Sequence, residues 1–175
     1  KEEILGHHKI TKSKYKNIYV GSELDNIFGN CSAAYITYND NKLYVGNFNT
    51  KDNTIIKEYN INDDGMIDTS NYTKLQLTGF VQGITFYEDE ENNKKYLIIS
   101  SSYGKYFNSK LEIYDFETFE KVKEMNTEKM MEEIIVDDDK LITIYEANAK
   151  IYSPQQSNTD IIISDINKIL KKKTK

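Results

Sequence analysis

Several residue types are scarce in this sequence, and each scarcity narrows the possible functions. Its 175 residues include no Trp, one Cys and two His. Because Cys31 is the only cysteine, no intrachain disulfide can form and thiol-rich zinc sites are excluded. The redox compartment stays open. With His7 and His8 as the only histidines, a serine nucleophile would have few bases to activate it.

Positive charge is also in short supply. The formal net charge is -5 and the pI is near 5.2, which disfavours binding to nucleic acid or to an anionic membrane. The one basic cluster consists of Lys168, Lys171, Lys172, Lys173 and Lys175. It is interpreted as a solvated chain end rather than a phosphate-binding patch.

Long apolar runs are missing as well. No run approaches the ~20 residues that cross a bilayer, so the sequence predicts no membrane span. Residues 1–10 have no apolar stretch of the signal-peptide kind. Their start, Lys-Glu-Glu-Ile-Leu-Gly, is what we expect of a chain cut from a longer one or of one that has lost a leader.

The residues that are present indicate a folded chain. Hydrophobic residues make up 38% and charged residues 29% of the sequence, and 14 Tyr and 7 Phe argue against disorder. The length suits one domain with a core of its own.

An internal repeat organises the chain. Three segments each read as a strand, a tight turn, a second strand, a loop and a third strand. The predicted first strands are 34–38, 83–87 and 133–136; the second strands are 42–47, 95–100 and 140–145; the third strands are 54–61, 110–116 and 160–166. A period of about 40–50 residues with three or four strands is typical of propeller blades.

Fourth strands are predicted at 72–77 and 121–125, where polar and apolar residues alternate as on an exposed edge. Continuous apolar runs at 97–99 and 161–163 predict inner strands covered on both faces. Only 128–132 and 166–170 are compatible with short helices.

The predicted fold class is therefore all-β, with about three four-stranded antiparallel blades of a β-propeller. The predicted divisions are an N-terminal segment at 1–30, in which residues 15–20 would close a preceding blade, blades at 31–78, 79–126 and 130–170, and a basic tail at 171–175. Known propellers carry about four to eight blades. We therefore expect a missing N-terminal propeller half, or a homo-oligomer, to complete the ring and cover its apolar end faces.

Two hairpins and two short motifs resemble those of a known group of proteins. The hairpins are Tyr38-Asn39-Asp40-Asn41-Lys42-Leu43-Tyr44-Val45-Gly46 and Val136-Asp137-Asp138-Asp139-Lys140-Leu141, and the motifs are Gln82-Gly83-Ile84 and Ser100-Ser101-Ser102-Tyr103-Gly104. Over residues 33–166 the chain resembles the C-terminal half of bacterial propeller proteins of the broad YVTN, SMP-30 and quinoprotein-like group. The Trp-Asp dipeptide of eukaryotic-style repeats is absent. The resemblance implies an exported protein, with functions ranging from metal-dependent lactone hydrolysis to binding without chemistry.

In a propeller, the ends of the inner strands face the central channel. The polar candidates for the channel rim are Asn47, Gln82, Ser101, Ser102, Tyr103, Glu132, Glu133 and Glu146. Glu132 or Glu133 with Glu146, joined by an amide, would suit a hard cation such as calcium. The alternative is that these carboxylates are solvated or bonded to nearby backbone.

Other motifs have plainer interpretations. Ser101 and Ser102 are expected to be polar lining rather than nucleophiles. Adjacent His7 and His8 on a strand would point to opposite faces, which disfavours chelation. The acidic stretches 63–65 and 137–139 are expected to be turns, not calcium loops.

Aromatic residues form a further candidate feature. Tyr103, Tyr106 and Phe107 surround Gly104 in a predicted loop of the second repeat. They are expected to pack on the next blade, with ligand contact as the alternative.

The sequence thus favours a non-catalytic ligand- or protein-binding module, outside the cell or at its surface, with the cytoplasm as the alternative location. The first alternative function is an SMP-30-like lactone or ester hydrolase with a central divalent ion. The second is a structural assembly module.

Overall fold

The computed structural model describes residues 33–50, 54–77, 79–145 and 161–171. These residues form three antiparallel sheets. The first sheet contains β1 (Ala33–Asn39), β2 (Lys42–Asn47), β3 (Thr54–Ile61) and β4 (Ile67–Leu77); the second contains β5 (Val81–Asp89), β6 (Lys94–Ser101), β7 (Ser109–Asp115) and β8 (Lys121–Thr127); the third contains β9 (Met131–Asp137), β10 (Lys140–Tyr145) and β11 (Ile161–Asp165). One short helix, α1 (Ile166–Lys171), follows β11. Each sheet is a meander of sequential neighbours, and the all-β prediction is confirmed.

Tight turns between the strands use residues that tolerate a left-handed backbone. Asp40 and Asn41 have φ values of 49° and 55° between β1 and β2, and Asp138 has a φ of 51° between β9 and β10. Asp and Asn accept this conformation more readily than most side chains. In the β3–β4 turn, Gly65 has a φ of 75°, and the Asn62 side chain accepts a hydrogen bond from the Met66 amide at 2.8 Å. Residues 63–65 thus lie in the β3–β4 turn, and Asp138 and Asp139 form the β9–β10 turn that the sequence predicted, while Asp137 ends β9.

The second sheet lies between the other two. One of its faces packs on the first sheet through a buried cluster that includes Tyr44, Ile56, Leu97 and Ile99. Its other face packs on the third sheet and α1 through a second cluster of buried residues. This cluster contains Tyr87, Tyr96, Ile98, Leu111, Ile113, Met131, Ile134, Leu141, Tyr145 and Ile166. Covering both faces explains why the run 97–99 is fully buried.

The first strands of the sheets, β1, β5 and β9, are neighbours in space. Between β5 and β9, the Val136 amide donates to Thr85 Oγ1 at 3.3 Å, while Glu133 lies over Gly83, so the two strands run in the same direction. Lys95 pairs with Asp40 at the turn end of the first two sheets. The described sheets lie in a row that does not close on itself.

A register irregularity recurs at the start of these three strands. β1 shifts between Ala33 and Tyr35, β5 shifts between Val81 and Gly83, and β9 is displaced by one residue at Glu132. Such β-bulges bend a strand and re-aim its side chains. The same irregularity in each unit supports the internal repeat found in the sequence.

The predicted helix at 128–132 is wrong. Met131 begins β9, and its amide donates to Ser109 Oγ at 3.0 Å. The bulge at Glu132 brings Met131 and Ile134 to one buried face, so their spacing resembles that of a helix although the backbone is a strand. The other predicted helix, 166–170, is confirmed by α1.

The inner position predicted for 161–163 is also wrong. Ile161 and Ile163 are each 62% exposed, and Ile162 is 38% exposed. Within the described residues, β11 is the outer strand of a three-stranded sheet. Its apolar sequence therefore does not indicate burial.

No helix in the described part of the chain is long and apolar enough to cross a membrane.

Candidate functional site

The end of the sheets at which β1, β5 and β9 begin is called the strand-start end. A cavity of about 400 Å³ opens there on the second sheet, between the end of β6 and the start of β7. Three aromatic residues line it, Phe80, Tyr103 and Phe107. Its polar lining residues are Ser101, Ser102, Asn108 and Lys110.

Phe80 is held at the cavity by an unusual backbone conformation. Its φ is 65°, which is rare for a bulky side chain. The Phe80 amide donates to Asn49 O at 2.7 Å, and the Phe80 carbonyl accepts from the Ser102 amide at 2.9 Å. Met130 has a φ of 63° at the corresponding place before β9. The left-handed conformation thus occurs before the first strand of both the second and the third sheet. Only the residue of the second sheet, Phe80, carries an aromatic ring.

A row of rings runs along the cavity. The ring centroids of Phe80 and Tyr103 lie 4.7 Å apart, and those of Tyr103 and Phe107 lie 6.2 Å apart at an interplanar angle of 26°. Phe48, which follows β2, extends the row with a centroid 6.4 Å from Phe80. Tyr103 and Phe107 are 51% and 61% exposed. Tyr106, at 76% exposure, belongs to the same loop but does not line the cavity.

These exposures correct the expectation that the loop packs on the next sheet. Within the described residues, Tyr103 contacts Phe80 and Phe107, while Tyr106 lies under the ammonium group of Lys105, 5.2 Å from its ring centroid. Each of these partners belongs to the same loop or to the start of β5. The rings of this loop are therefore accessible to a ligand.

The polar residues predicted from the sequence lie behind the rings. Gln82 Nε2 donates to Ser102 O at 3.4 Å. Ser109 Oγ donates to Ser102 Oγ at 3.1 Å, and Ser101 Oγ lies 3.5 Å from Glu112 Oε2. Both cavity serines are buried and bond to neighbours that are not histidines. Ser101 and Ser102 line the cavity with polar groups, and the absence of a nucleophilic role stays a prediction.

A buried carboxylate supports the cavity floor. Glu112 is 3% exposed, and its Oε1 lies 2.8 Å from Lys121 Nζ and 3.3 Å from the Tyr114 hydroxyl. The hydrogen bonds that Lys121 donates to Glu112 and Glu124 raise the pKa of Lys121. These contacts satisfy a charge that would otherwise be costly to bury.

The cavity lysine has its own acidic partner. Lys110 Nζ lies 2.7 Å from Glu124 Oε1, and Lys121 Nζ lies 2.6 Å from Glu124 Oε2. Hydrogen bonds from Lys110 and then Lys121 lower the pKa of Glu124 to about 2. The charge of Lys110 is thus already balanced within the protein.

The predicted acidic pair lies at the junction of the second and third sheets. Glu132 is the bulged residue, and its carbonyl accepts from Ser100 Oγ at 3.1 Å. The Glu133 carboxylate lies over Gly83, where a Cβ would approach Glu133 Oε1 to 2.5 Å. Burial raises the pKa of Glu133. The junction thus depends on a residue without a side chain at position 83.

The structure brings some of the predicted channel-rim residues together and separates others. Ser101, Ser102 and Tyr103 line one cavity, and Gln82 bonds to Ser102 without lining it. Glu132 and Glu133 open the adjoining strand, and Asn47 ends β2 opposite Ala33.

Glu146, the third carboxylate of the predicted metal site, lies outside the described residues, as do His7, His8, Cys31 and residues 15–20. Within the described part of the chain, no group of three or more His, Cys, Asp or Glu side chains is arranged to hold a metal ion. The calcium site stays a prediction.

Four contributors were missed from the sequence: Phe80, Glu112, Lys110 and Asn108. Phe80 carried no signal, because its role depends on a backbone conformation. Glu112 did carry one, since it interrupts the apolar strand between Leu111 and Ile113. Lys110 was assigned only to a strand.

A second cavity, of about 340 Å³, lies at the opposite end of the sheets and is acidic. Its lining residues are Tyr87, Glu88, Asp89, Glu90, Glu91, Asp138, Asp139 and Asn167. The Tyr87 hydroxyl lies 3.0 Å from Asp139 Oδ1 and 2.9 Å from Asn167 Oδ1. Burial, followed by the bond to Asp139, raises the pKa of Tyr87 to about 12. These contacts hold the β9–β10 turn and α1 against the second sheet.

Comparison of the chain with protein families, curated proteins and solved structures finds no match. Fold and site are therefore interpreted from this molecule alone.

Proposed function

We propose that the three sheets are consecutive blades of a β-propeller and that the chain is a non-catalytic binding module. The blade interpretation is supported by three features: meander sheets, first strands that lie side by side, and a bulge at the same place in each first strand. In a propeller these first strands would line the central channel.

The observation that carries the binding function is the cavity at the strand-start end. It has the size of a small-molecule pocket, and its lining combines three aromatic residues with a few polar ones. Ser102 Oγ accepts from Ser109, and Ser101 Oγ lies 3.5 Å from Glu112, whose carboxylate is already paired with Lys121. Neither described contact is the serine–histidine pair of a nucleophilic enzyme. This arrangement favours binding over chemistry.

A fragment screen by two-dimensional NMR tests this function. The ¹⁵N-labelled full chain is titrated with neutral, anionic and cationic fragments, and amide shifts are mapped onto the sequence. We expect the largest shifts at residues 101–110 and at Gln82. The β3–β4 turn at Gly65, which lines neither described cavity, is the internal reference.

Two results would contradict this function. The first is a folded chain in which no fragment shifts the amides of 101–110. The second is turnover of lactone or ester substrates that disappears in Glu132→Gln, because that outcome would favour the metal-dependent hydrolase.

A second candidate function, structural assembly, is favoured by one face of the third sheet. Ile142 is paired with Ile135 on one side and with Ile163 on the other, and Ile144 is paired with Ile161. Ile135, Ile161 and Ile163 are 48–62% exposed. Exposed apolar patches of this kind mark interaction sites. A further blade, from an upstream segment or an identical chain, would cover this face as the second sheet covers its neighbours.

Light scattering coupled to size-exclusion chromatography tests the assembly function. We expect the chain to self-associate and Ile163→Lys to shift it toward the monomer. Val122→Lys is the matched control, because Val122 is 45% exposed on an edge strand of the second sheet. A wild-type chain that is a stable, folded monomer would exclude assembly through identical copies.

A further inference from the structure

We infer that the cavity at the strand-start end binds a neutral small molecule that contains either a single aromatic ring or two fused aromatic rings. This inference rests on the proposed binding function and specifies its ligand. The cavity volume of about 400 Å³ is in the range of small-molecule pockets. Two of its three lining aromatic residues, Tyr103 and Phe107, are more than half exposed.

The polar groups of the cavity limit the ligand to one with few polar atoms. Ser101 and Ser102 bond to Glu112 and Ser109, and Lys110 is paired with Glu124. A sugar would need several donors and acceptors for its hydroxyl groups, and three of the four polar lining residues already bond within the protein. A ring that stacks on Tyr103 or Phe107 needs none.

Charge near the cavity argues against a cationic ligand. Lys110 lines the cavity and Lys105 lies in the same loop. Lys105 would repel a cation, although aromatic faces attract one, whereas the charge of Lys110 is balanced by Glu124. An anion would have to compete with Glu124 for Lys110. A neutral ligand avoids both costs.

One polar group of the lining is available to orient the ligand. Asn108 lines the cavity, and its side-chain amide makes no hydrogen bond to any other described residue. An amide can donate to or accept from a single substituent such as a hydroxyl group. The ligand class is therefore an aromatic ring system that carries one hydrogen-bonding substituent.

The probe for this inference is 2-naphthol, which is neutral at pH 7, titrated into the ¹⁵N-labelled full chain. Decahydro-2-naphthol has the same carbon skeleton without aromatic faces, and N-acetylphenylalanine amide represents an aromatic side chain of a polypeptide. We expect 2-naphthol to shift the amides of 101–110 and to bind at least about fivefold more tightly than the saturated analogue.

Variants in one loop provide the controls. Tyr103→Ala and Phe107→Ala should each weaken 2-naphthol binding at least about tenfold, because each removes a stacking surface. Tyr106→Ala should change the affinity by less than about twofold, since Tyr106 is exposed in the same loop but does not line the cavity. Unchanged dispersion of the amide spectrum shows that each variant is folded.

Four outcomes would overturn the inference. They are equal binding of the saturated analogue, tighter binding of the phenylalanine amide than of 2-naphthol, equal loss of affinity in Tyr106→Ala, and shifts confined to the third sheet. If charged fragments but not 2-naphthol shift 101–110, the ligand class is wrong and the binding function stands. If no fragment shifts these amides, both fail.

Discussion

The second and third sheets follow the same strand order, but their burial differs. Ile98 and Ile99 in β6 are 0% exposed, whereas Ile161 and Ile163 in β11 are each 62% exposed. The second sheet has a neighbour on each face, while the third is covered by the second on one face only among the described residues. The difference teaches that burial here depends on neighbouring sheets, since both strands carry equally apolar sequences.

The largest effect is expected from a substitution that creates a cavity in the core of the second sheet. Ile98→Ala should lower the free energy of unfolding by about 2–5 kcal/mol, because the deleted atoms are fully surrounded. Ile163→Ala should cost less than about 1 kcal/mol, because its side chain is mostly exposed. Urea unfolding followed by far-ultraviolet circular dichroism measures both. Similar costs would mean that the outer face of β11 is covered in solution.

The junction between the two sheets is the next most sensitive point. Gly83→Ala would place a Cβ 2.5 Å from Glu133 Oε1 and 3.2 Å from Glu132 O. We expect a loss of about 1–3 kcal/mol in the free energy of unfolding, which is typical of overpacking.

Glu133→Ala provides the control for that substitution. In the double variant the contact with the carboxylate disappears and the contact with the Glu132 carbonyl remains, so part of the stability should return. If the loss of stability in the double variant equals the sum of the losses in the two single variants, Glu133 does not pack on Gly83.

A smaller effect is expected where the β9–β10 turn and α1 attach to the second sheet. Tyr87→Phe removes the hydroxyl that bonds to Asp139 and Asn167, at an expected cost of about 1 kcal/mol in the free energy of unfolding.

Tyr96→Phe is the matched control. Tyr96 is the cross-strand neighbour of Tyr87 and has no hydroxyl partner among the described residues. It should change stability little, and equal losses in the two variants, measured by urea unfolding, would contradict the anchoring role.

Much of the fold could be predicted because each strand is marked by local signals. The bounds of β2, β3 and β10 agree with the predicted strands at both ends. Turn residues such as Asp40 and Asn41 marked the hairpins, since few other residues adopt their backbone conformation.

The burial of 161–163 and the strand that begins at Met131 could not be predicted in the same way. An apolar run such as 161–163 carries no information about which sheet lies beside it. The spacing of Met131 and Ile134 has a helical period because of a bulge, which alternation rules do not anticipate.

The candidate site was partly predictable. Ser101, Ser102 and Tyr103 follow an apolar strand directly, so their position at its end could be inferred. Phe80 contributes through hydrogen bonds to Asn49 and Ser102, which are distant in the chain. No periodicity reports such contacts, which is why Phe80 was missed. Glu112 bonds to residues near it in the chain and was marked by its place within an apolar strand.

The smallest effect concerns pH, and it contrasts Glu133 at the sheet junction with Glu124 on the edge strand. Burial raises the pKa of Glu133, so its contribution to stability is complete below the ordinary value of 4.5 and is lost as the pH rises. Lys110 and Lys121 lower the pKa of Glu124 to about 2, so its contribution is present above 4.5 and is lost as the pH falls toward 2. The stability of Glu133→Gln relative to the wild type should therefore increase as the pH rises from 4 to 7. The relative stability of Glu124→Gln should increase as the pH falls from 5 to 2. Urea unfolding across pH 2–7 measures both differences, and slopes of the same sign would show that Glu133 is solvated at the junction.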